Sequence, residues 1–176
     1  MSTLVVFLKG VNVGGHRRFR PSVLAKRLRR YDVLNIGAAG TFVVRKRISR
    51  ARLRAELIRR LPFDAHVMMC SGRDILSLAS RDPFAGQPSG PAILQFVSVL
   101  AKRPRASSTV PLSVPSDGEW CVRVLARHDR FVVGLCRRQM KAIGYLGQLE
   151  KLFGVPITTR SWSTISTIAR ILKNAG

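Results

Sequence analysis

The residues most able to do chemistry in this chain are arginines, and the chemistry they favour is the binding of anions. The chain has 31 Lys and Arg against nine Asp and Glu, which gives a formal net charge of +22. Sixteen of these cations but only two acids fall within residues 1–62. Because such an excess of like charge destabilises a compact protein, anionic partners or counterions are expected close to it. A genome-wide drift toward arginine is the other interpretation, and the charge alone does not choose between them.

A glycine-rich stretch, "FLKGVNVGGH" at residues 7–16, is the second candidate for chemistry. An apolar run precedes it, and a helix start flanked by arginines follows it. Free backbone N–H groups and guanidinium groups at such a place can hold an anion. The Walker A pattern fails because His-Arg follows Gly15 where Lys-Ser/Thr is required, and G-x-G-x-x-G is absent. Gly10, Gly14 and Gly15 therefore contribute either to a small-anion site or to a tight connection that needs the positive φ of glycine.

The segment "TTRSW" at residues 158–162 extends this small-ligand hypothesis. Thr159 or Ser161 can cap a following helix, and Trp162 can pack that helix onto the core. Arg160 would then lie at a helix start, where a cation is unfavourable unless an anion is bound. Arg160 is thus a predicted ligand-binding residue, with a simple surface arginine as the alternative.

No catalytic motif accompanies these candidates. The nine acids form no pair with helical or motif spacing, and neither G-x-S-x-G nor a zinc pattern occurs. The sequence therefore predicts no catalytic residue, no metal and no cofactor, and it leaves open whether the protein is an enzyme. It also leaves the oligomeric state open.

The compartment follows from cysteine usage and from the absence of long apolar runs. Three cysteines without C-x-x-C spacing, Cys70, Cys121 and Cys136, fit a reducing environment. The run Leu4–Leu8 is too short for a signal-peptide core, and no apolar run approaches 18 residues. We therefore expect a cytoplasmic protein with no transmembrane segment.

The elements that must position these residues begin with a β-α-β-β-α-β order. Leu4–Leu8 reads as a buried strand, Pro21–Tyr31 as a helix, and the runs "VLNIG" and "TFVVR" as a hairpin. Ser49–Leu61 is a second helix capped by Ser49, and Ala65–Ser71 is a further strand. The predicted fold is α+β, with a ferredoxin-like βαββαβ module and an antiparallel sheet in a first domain, residues 1–82.

A smaller α+β part is predicted for residues 83–176. It contains a strand at Ala92–Leu100 and a hairpin in which Cys121 lies opposite Cys136. Helices are expected at Gly147–Gly154 and Ser161–Gly176.

The two basic helices of the first domain suggest nucleic-acid binding through phosphates. The residues expected to make these contacts are Arg17, Arg18, Arg20, Arg27, Arg30, Arg52, Arg54, Arg59 and Arg60. The pattern K/R-G-F/Y-G/A-F-V-x-F/Y of RNA readers is missing, since "AGTFVVRKR" contains Phe42 as its single aromatic. A small anionic metabolite is the alternative partner, and an anionic lipid surface contacted through Ile48–Leu61 ranks last.

Three stretches resemble a known family. "FLKGVNVGG" is similar to the opening L-L-R-G-I-N-V-G-G signature of the bacterial domain of unknown function 1697 family. "DILSLASRDPF" and "LEKLFGVPITTRSWSTI" resemble its E-L-x-x-I-x-x-x-N-P-F and closing L-E-x-x-L-G-x-x-x-T-T-R-N-W-N-T-V patterns. The resemblance implies an α+β fold with a ferredoxin-like part and a biochemical role that is not established.

This chain departs from the family pattern at several polar positions. "AAGTFVV" stands where the family usually has Q-S-G-N-V-V-F, and Ser161 and Ser163 stand where Asn is usual. Asn12, Arg160 and Trp162 are retained, so a ligand site inherited from the family would centre on them.

Overall fold

The chain forms two compact units. A computed structural model of the protein describes residues 3–12, 18–104 and 109–174. Unit 1 comprises residues 1–77 and 166–176, and unit 2 comprises residues 78–165. Both sheets are antiparallel and helices accompany them, so the predicted α+β class is confirmed. The division into domains at residues 82 and 83 stays a prediction.

Unit 1 contains a four-stranded sheet with the strand order β2-β3-β1-β4. Its elements are β1 (Leu4–Lys9), α1 (Pro21–Arg27), a 3₁₀ turn (Arg29–Tyr31), β2 (Val33–Ile36), β3 (Thr41–Val44), α2 (Arg50–Ile58) and β4 (His66–Ser71). Strand β1 lies between β3 and β4, and its apolar side chains are buried on both faces of the sheet. Leu4, Val6 and Leu8 belong to the core of unit 1, and Val5 and Phe7, which point to the opposite face, are buried as well. The first four strands and two helices thus follow the order read from the sequence.

The helices of unit 1 start where the sequence indicates. Ser49 caps α2, since its Oγ accepts a hydrogen bond from the backbone N–H of Arg52 at 3.2 Å, and Leu53 and Leu57 are buried. Helix α1 begins at Pro21, which suits the first helical position. It ends at Arg27 rather than at Tyr31, because the chain leaves α-helical geometry at Leu28 and continues as the 3₁₀ turn.

The predicted hairpin between β2 and β3 is confirmed, and it needs glycine at its end. Gly40 has a φ of +70°, which is rare for any residue with a side chain. A Cβ atom placed there would lie 2.8 Å from Cγ2 of Val11 and 2.9 Å from Cβ of Leu8. Only glycine allows these chain segments to come so close.

Unit 2 contains a five-stranded sheet with the order β6-β7-β8-β5-β9. The remaining elements of the chain are α3 (Gly72–Ser80), β5 (Ile93–Leu100), β6 (Leu112–Val114), β7 (Val122–His128), β8 (Phe131–Arg137), α4 (Met140–Phe153), β9 (Ile157–Ser161) and α5 (Trp162–Asn174). The boundary between the units falls within α3 and within α5. Among the described residues, no helix has the length and apolar character needed to cross a membrane.

The hairpin of β7 and β8 differs from the predicted register. His128 pairs with Phe131, so the turn lies one residue later than expected. A bulge between Val124 and Ala126 shifts the register again, and Cys136 pairs with Val122. The prediction that Cys121 lies opposite Cys136 is therefore wrong.

The three cysteines are nevertheless all buried. Cys70 lies in the sheet of unit 1, and Cys121 and Cys136 belong to the core of unit 2. Burial raises the pKa of the Cys136 thiol, and the nearby Cys121 raises it further. The Cys136 thiol is therefore kept in its neutral form, and all three thiols lie away from solvent.

Candidate functional site

Four of the predicted arginines line one cleft in unit 1, which we call the arginine cleft. Its volume is about 360 Å³, and its lining includes Arg18, Arg20, Arg27 and Arg60. The apolar part of its lining consists of Phe19, Val23, Leu24 and Pro62. None of the described residues that line this cleft is acidic. The cleft therefore combines an apolar surface with a concentration of positive charge.

The segment before α1 is fixed by Asn12. The Asn12 side chain accepts a hydrogen bond from the backbone N–H of Phe19 at 2.9 Å. Its amide group donates to the carbonyl oxygens of Phe19 at 3.1 Å and of Ala38 at 2.8 Å. Both amide hydrogens of Asn12 are thus engaged within unit 1. Asn12 holds Phe19, and with it the adjacent arginines, in the wall of the cleft.

Three arginines converge on one carboxylate next to the arginine cleft. Glu56 of α2 forms ion pairs with Arg30 at 2.6 Å, with Arg59 at 3.4 Å and with Arg60. Burial raises the pKa of Glu56, but the charges of these arginines outweigh that effect and hold the pKa below its ordinary value. A single acid thus holds in place three cations, one of which also lines the cleft.

The remaining predicted nucleic-acid contacts, and the two glycines predicted to bind an anion, lie outside the arginine cleft or outside the described residues. Arg52 and Arg54 are exposed on α2. The guanidinium group of Arg30 also lies over the Tyr31 ring, 4.6 Å from its centroid. Arg17, Gly14 and Gly15 lie outside the described residues. The binding role of each of these residues stays a prediction.

A second cleft lies in unit 2, and we call it the serine–tryptophan cleft. Its volume is about 280 Å³, and it is lined by Ser89, Gly90, Ile93, Leu94, Gln95, Arg138, Ser161, Trp162 and Ser163. Trp162 packs against Phe84, with ring centroids 5.2 Å apart. Ser161 caps α5 by accepting a hydrogen bond from the backbone N–H of Thr164 at 3.3 Å, as one of the two predicted caps requires.

Arg160 directly precedes the Ser161 cap of α5, and the structure also builds it into a strand. It is a residue of β9, paired with Val97, and only 8% of it is exposed. Its Nη1 donates to Oγ1 of Thr158 at 2.8 Å and to the carbonyl oxygen of Thr159 at 2.9 Å. Burial lowers the pKa of Arg160 to about 10. Its local contacts are those of a residue built into the sheet, and its predicted role in ligand binding stays untested.

Phe19, Gln95 and Arg138 are among the lining residues that sequence reasoning missed. Phe19 is the aromatic of the arginine cleft, and Gln95 and Arg138 are polar residues of the serine–tryptophan cleft. The triplet Arg18-Phe19-Arg20 was the signal for the first, because an aromatic between two cations is typical of nucleic-acid contacts. Among the residues that the structure describes, no three His, Cys, Asp or Glu side chains are grouped as metal ligands.

These features define an α+β protein with two antiparallel sheets and an arginine-lined cleft in unit 1. The model of the family "Protein of unknown function (DUF1697)" matches residues 1–127, and the chain belongs to that family. The family predicted from the sequence motifs is therefore confirmed, although the closing motif lies beyond the matched residues.

A solved structure shows the same fold. The conserved bacterial protein SP0830 from Streptococcus pneumoniae is similar to this chain with a TM-score of 0.63 and 16% sequence identity. The similarity covers 97% of this chain and 98% of that protein. Among curated proteins, none matches this chain. The comparisons thus establish the family and the fold.

Proposed function

We propose that unit 1 is a ferredoxin-like module and that its arginine cleft binds nucleic acid through phosphate groups. The observation that supports this most is the convergence of Arg18, Arg20, Arg27 and Arg60 on one cleft, with no acid among its described lining residues. The strand order β2-β3-β1-β4 and the β-α-β-β-α-β element order support the ferredoxin-like assignment.

Binding would occur by release of counterions from the nucleic acid. Each phosphate neutralised by an arginine releases condensed cations, so the affinity falls as the salt concentration rises. Four such contacts correspond to a log–log slope of about −3. The guanidinium group suits this task because its planar fork can donate two parallel hydrogen bonds to a phosphate. The affinity would depend little on sequence, because phosphate contacts carry no base information.

The experiment compares two double variants that remove the same charge from unit 1. Arg20→Gln with Arg27→Gln alters the arginine cleft, whereas Arg73→Gln with Arg170→Gln alters exposed arginines that do not line it. Binding of a labelled 20-nucleotide strand is measured by fluorescence anisotropy between about 50 and 300 mM salt. For the cleft variant we expect at least a 10-fold weaker affinity and a slope less negative by about 1.5. For the control variant we expect a change of less than threefold.

Two results would contradict the proposal. Equal weakening by both double variants would mean that net charge acts without any defined site. Absence of saturable binding by the unaltered protein at about 100 mM salt would exclude nucleic acid as the partner of the cleft. Circular dichroism of each variant confirms that the fold is retained before binding is compared.

The serine–tryptophan cleft favours a second candidate function, the binding of a small anionic ligand. Its lining combines the Arg138 guanidinium, the Gln95 amide and the Trp162 ring, which together suit a carboxylate or phosphate compound with a flat apolar part. Thermal shifts with inorganic phosphate and with citrate test this. The Arg138→Gln variant should lose the shift, and Lys151→Gln, an exposed charge on α4, should keep it.

A further inference from the structure

The apolar floor of the arginine cleft is not explained by phosphate binding alone. Phosphates need cations and N–H groups, yet half of the lining residues are Phe19, Val23, Leu24 and Pro62. Val23 is 39% exposed, which makes it one of the large apolar side chains of the described chain that are left in contact with water. A ligand that covered this apolar surface would bind more tightly, because the surface would be removed from water.

Phe19 is held firmly enough to act as a platform. Its backbone N–H and carbonyl groups are both bonded to the side chain of Asn12. Its ring packs against Phe63 in a T-shaped arrangement, with centroids 5.7 Å apart and an interplanar angle of 83°. Because Phe19 is already held in place, little conformational entropy is lost when a ligand binds to it.

The size and composition of the cleft suit one nucleotide. A volume of about 360 Å³ lies near the lower end of the range of ligand pockets, roughly 300–1,000 Å³. A duplex keeps its bases stacked and paired inside, so only its phosphates can reach the cleft. A single strand can instead place an unpaired base on the apolar floor while its flanking phosphates contact the arginines.

Resting on the proposed function, we propose that the arginine cleft binds an unpaired base and that the protein prefers single-stranded nucleic acid. Stacking of one base on an aromatic side chain strengthens binding by roughly 5- to 150-fold. We therefore expect a single strand to bind at least fivefold more tightly than a duplex of the same length and salt concentration. Base identity should matter little, because every base has an apolar face.

The experiment measures the ratio of the dissociation constants for a 20-nucleotide duplex and a 20-nucleotide single strand. Phe19→Leu and Val23→Ser reduce the apolar floor without changing charge, so each should bring the ratio close to one while the duplex constant stays within twofold. Val23 lies on the exposed face of α1, so its variant remains informative if Phe19→Leu fails to fold. An abasic strand, which keeps phosphates but lacks bases, should bind like the duplex.

The outcomes separate this inference from the function on which it rests. Equal affinities of the unaltered protein for duplex and single strand would overturn the preference and leave phosphate binding intact. Failure to bind either one would overturn both. A mononucleotide that binds as tightly as the strand, or anionic phospholipid vesicles that displace the strand from the cleft, would also overturn the inference by showing a different occupant.

Discussion

The two clefts differ in how much charge surrounds them, although the two units have the same number of residues. Unit 1 has a formal charge of +15 and unit 2 of +7. Four arginines line the arginine cleft, whereas Arg138 is the cation of the serine–tryptophan cleft among the described residues. A uniform drift toward arginine would give both units a similar positive charge. The uneven distribution therefore favours a functional origin for the charge of unit 1.

The largest expected effect comes from charge reversal in each cleft. Arg20→Glu with Arg27→Glu should weaken binding of a 20-nucleotide strand about 100-fold at 150 mM salt, because two phosphate contacts become repulsions. Arg138→Glu in the serine–tryptophan cleft should change it less than threefold. Anisotropy titrations give both values. A larger loss from Arg138→Glu would place the binding site in unit 2 and reverse the comparison.

A substitution in unit 2 tests whether the stability of that unit matters for binding. A Cβ atom at Gly134 would overlap the carbonyl oxygen of Arg123 and would lie 2.6 Å from the Phe96 ring. Gly134→Ala should therefore destabilise the protein by about 2 kcal/mol through overpacking. The matched variant Gly144→Ala, in open space on α4, should stabilise it slightly because alanine favours helix. Thermal melts measure both.

Nucleic-acid binding of the Gly134→Ala protein, measured well below its melting temperature, should equal that of the unaltered protein. A marked loss of affinity would mean that the arginine cleft depends on unit 2.

Substitution of Asn12 in unit 1 should have a smaller effect on stability and on strand binding. Asn12→Ala removes three hydrogen bonds and leaves alanine at a φ of 54°, so we expect a destabilisation of about 1–2 kcal/mol. Affinity for the single strand should fall a few-fold, because Phe19 loses its anchor. Asn12→Asp, which keeps the acceptor for the Phe19 N–H, should lose less stability. Unchanged strand affinity in a folded Asn12→Ala protein would show that Phe19 is held by other contacts.

The smallest effect concerns Glu56 and pH. A carboxyl whose pKa is lowered by folding stabilises the protein above its ordinary pKa, about 4.3, and this contribution is lost as the pH falls through the lower folded value. The melting temperature of Glu56→Gln should therefore fall less steeply below about pH 4 than that of the unaltered protein.

The same variant leaves Arg30, Arg59 and Arg60 without their shared carboxylate and should strengthen strand binding about twofold. Glu119→Gln, which makes the same charge change in unit 2, should not strengthen it.

Much of the fold was predictable because local chemistry marks its elements. Ser49 and Pro21 fixed the starts of two helices, and glycines fixed the hairpin at Gly40. The hairpin of unit 2 was less predictable. Its turn lies one residue later than expected and a bulge shifts the register again, so the cross-strand pairs differ from the predicted ones. No local signal in the sequence marks that bulge.

The site was predictable in composition but not in geometry. The arginines that line the cleft come from three separate segments, and only the fold shows that Arg60 joins Arg18, Arg20 and Arg27. Arg160 shows the opposite limit. The sequence indicates its place next to the start of α5, but only the fold shows that it also pairs with Val97 in the sheet and is buried.

The three buried cysteines can report when the structure around each of them opens. Cys70 belongs to unit 1 and Cys121 and Cys136 to unit 2, and each is at most 4% exposed. A thiol-reactive reagent can modify them only when the surrounding structure separates. Timed alkylation followed by peptide mass mapping would thus yield separate opening rates for the two halves of the native chain, with no engineered probe.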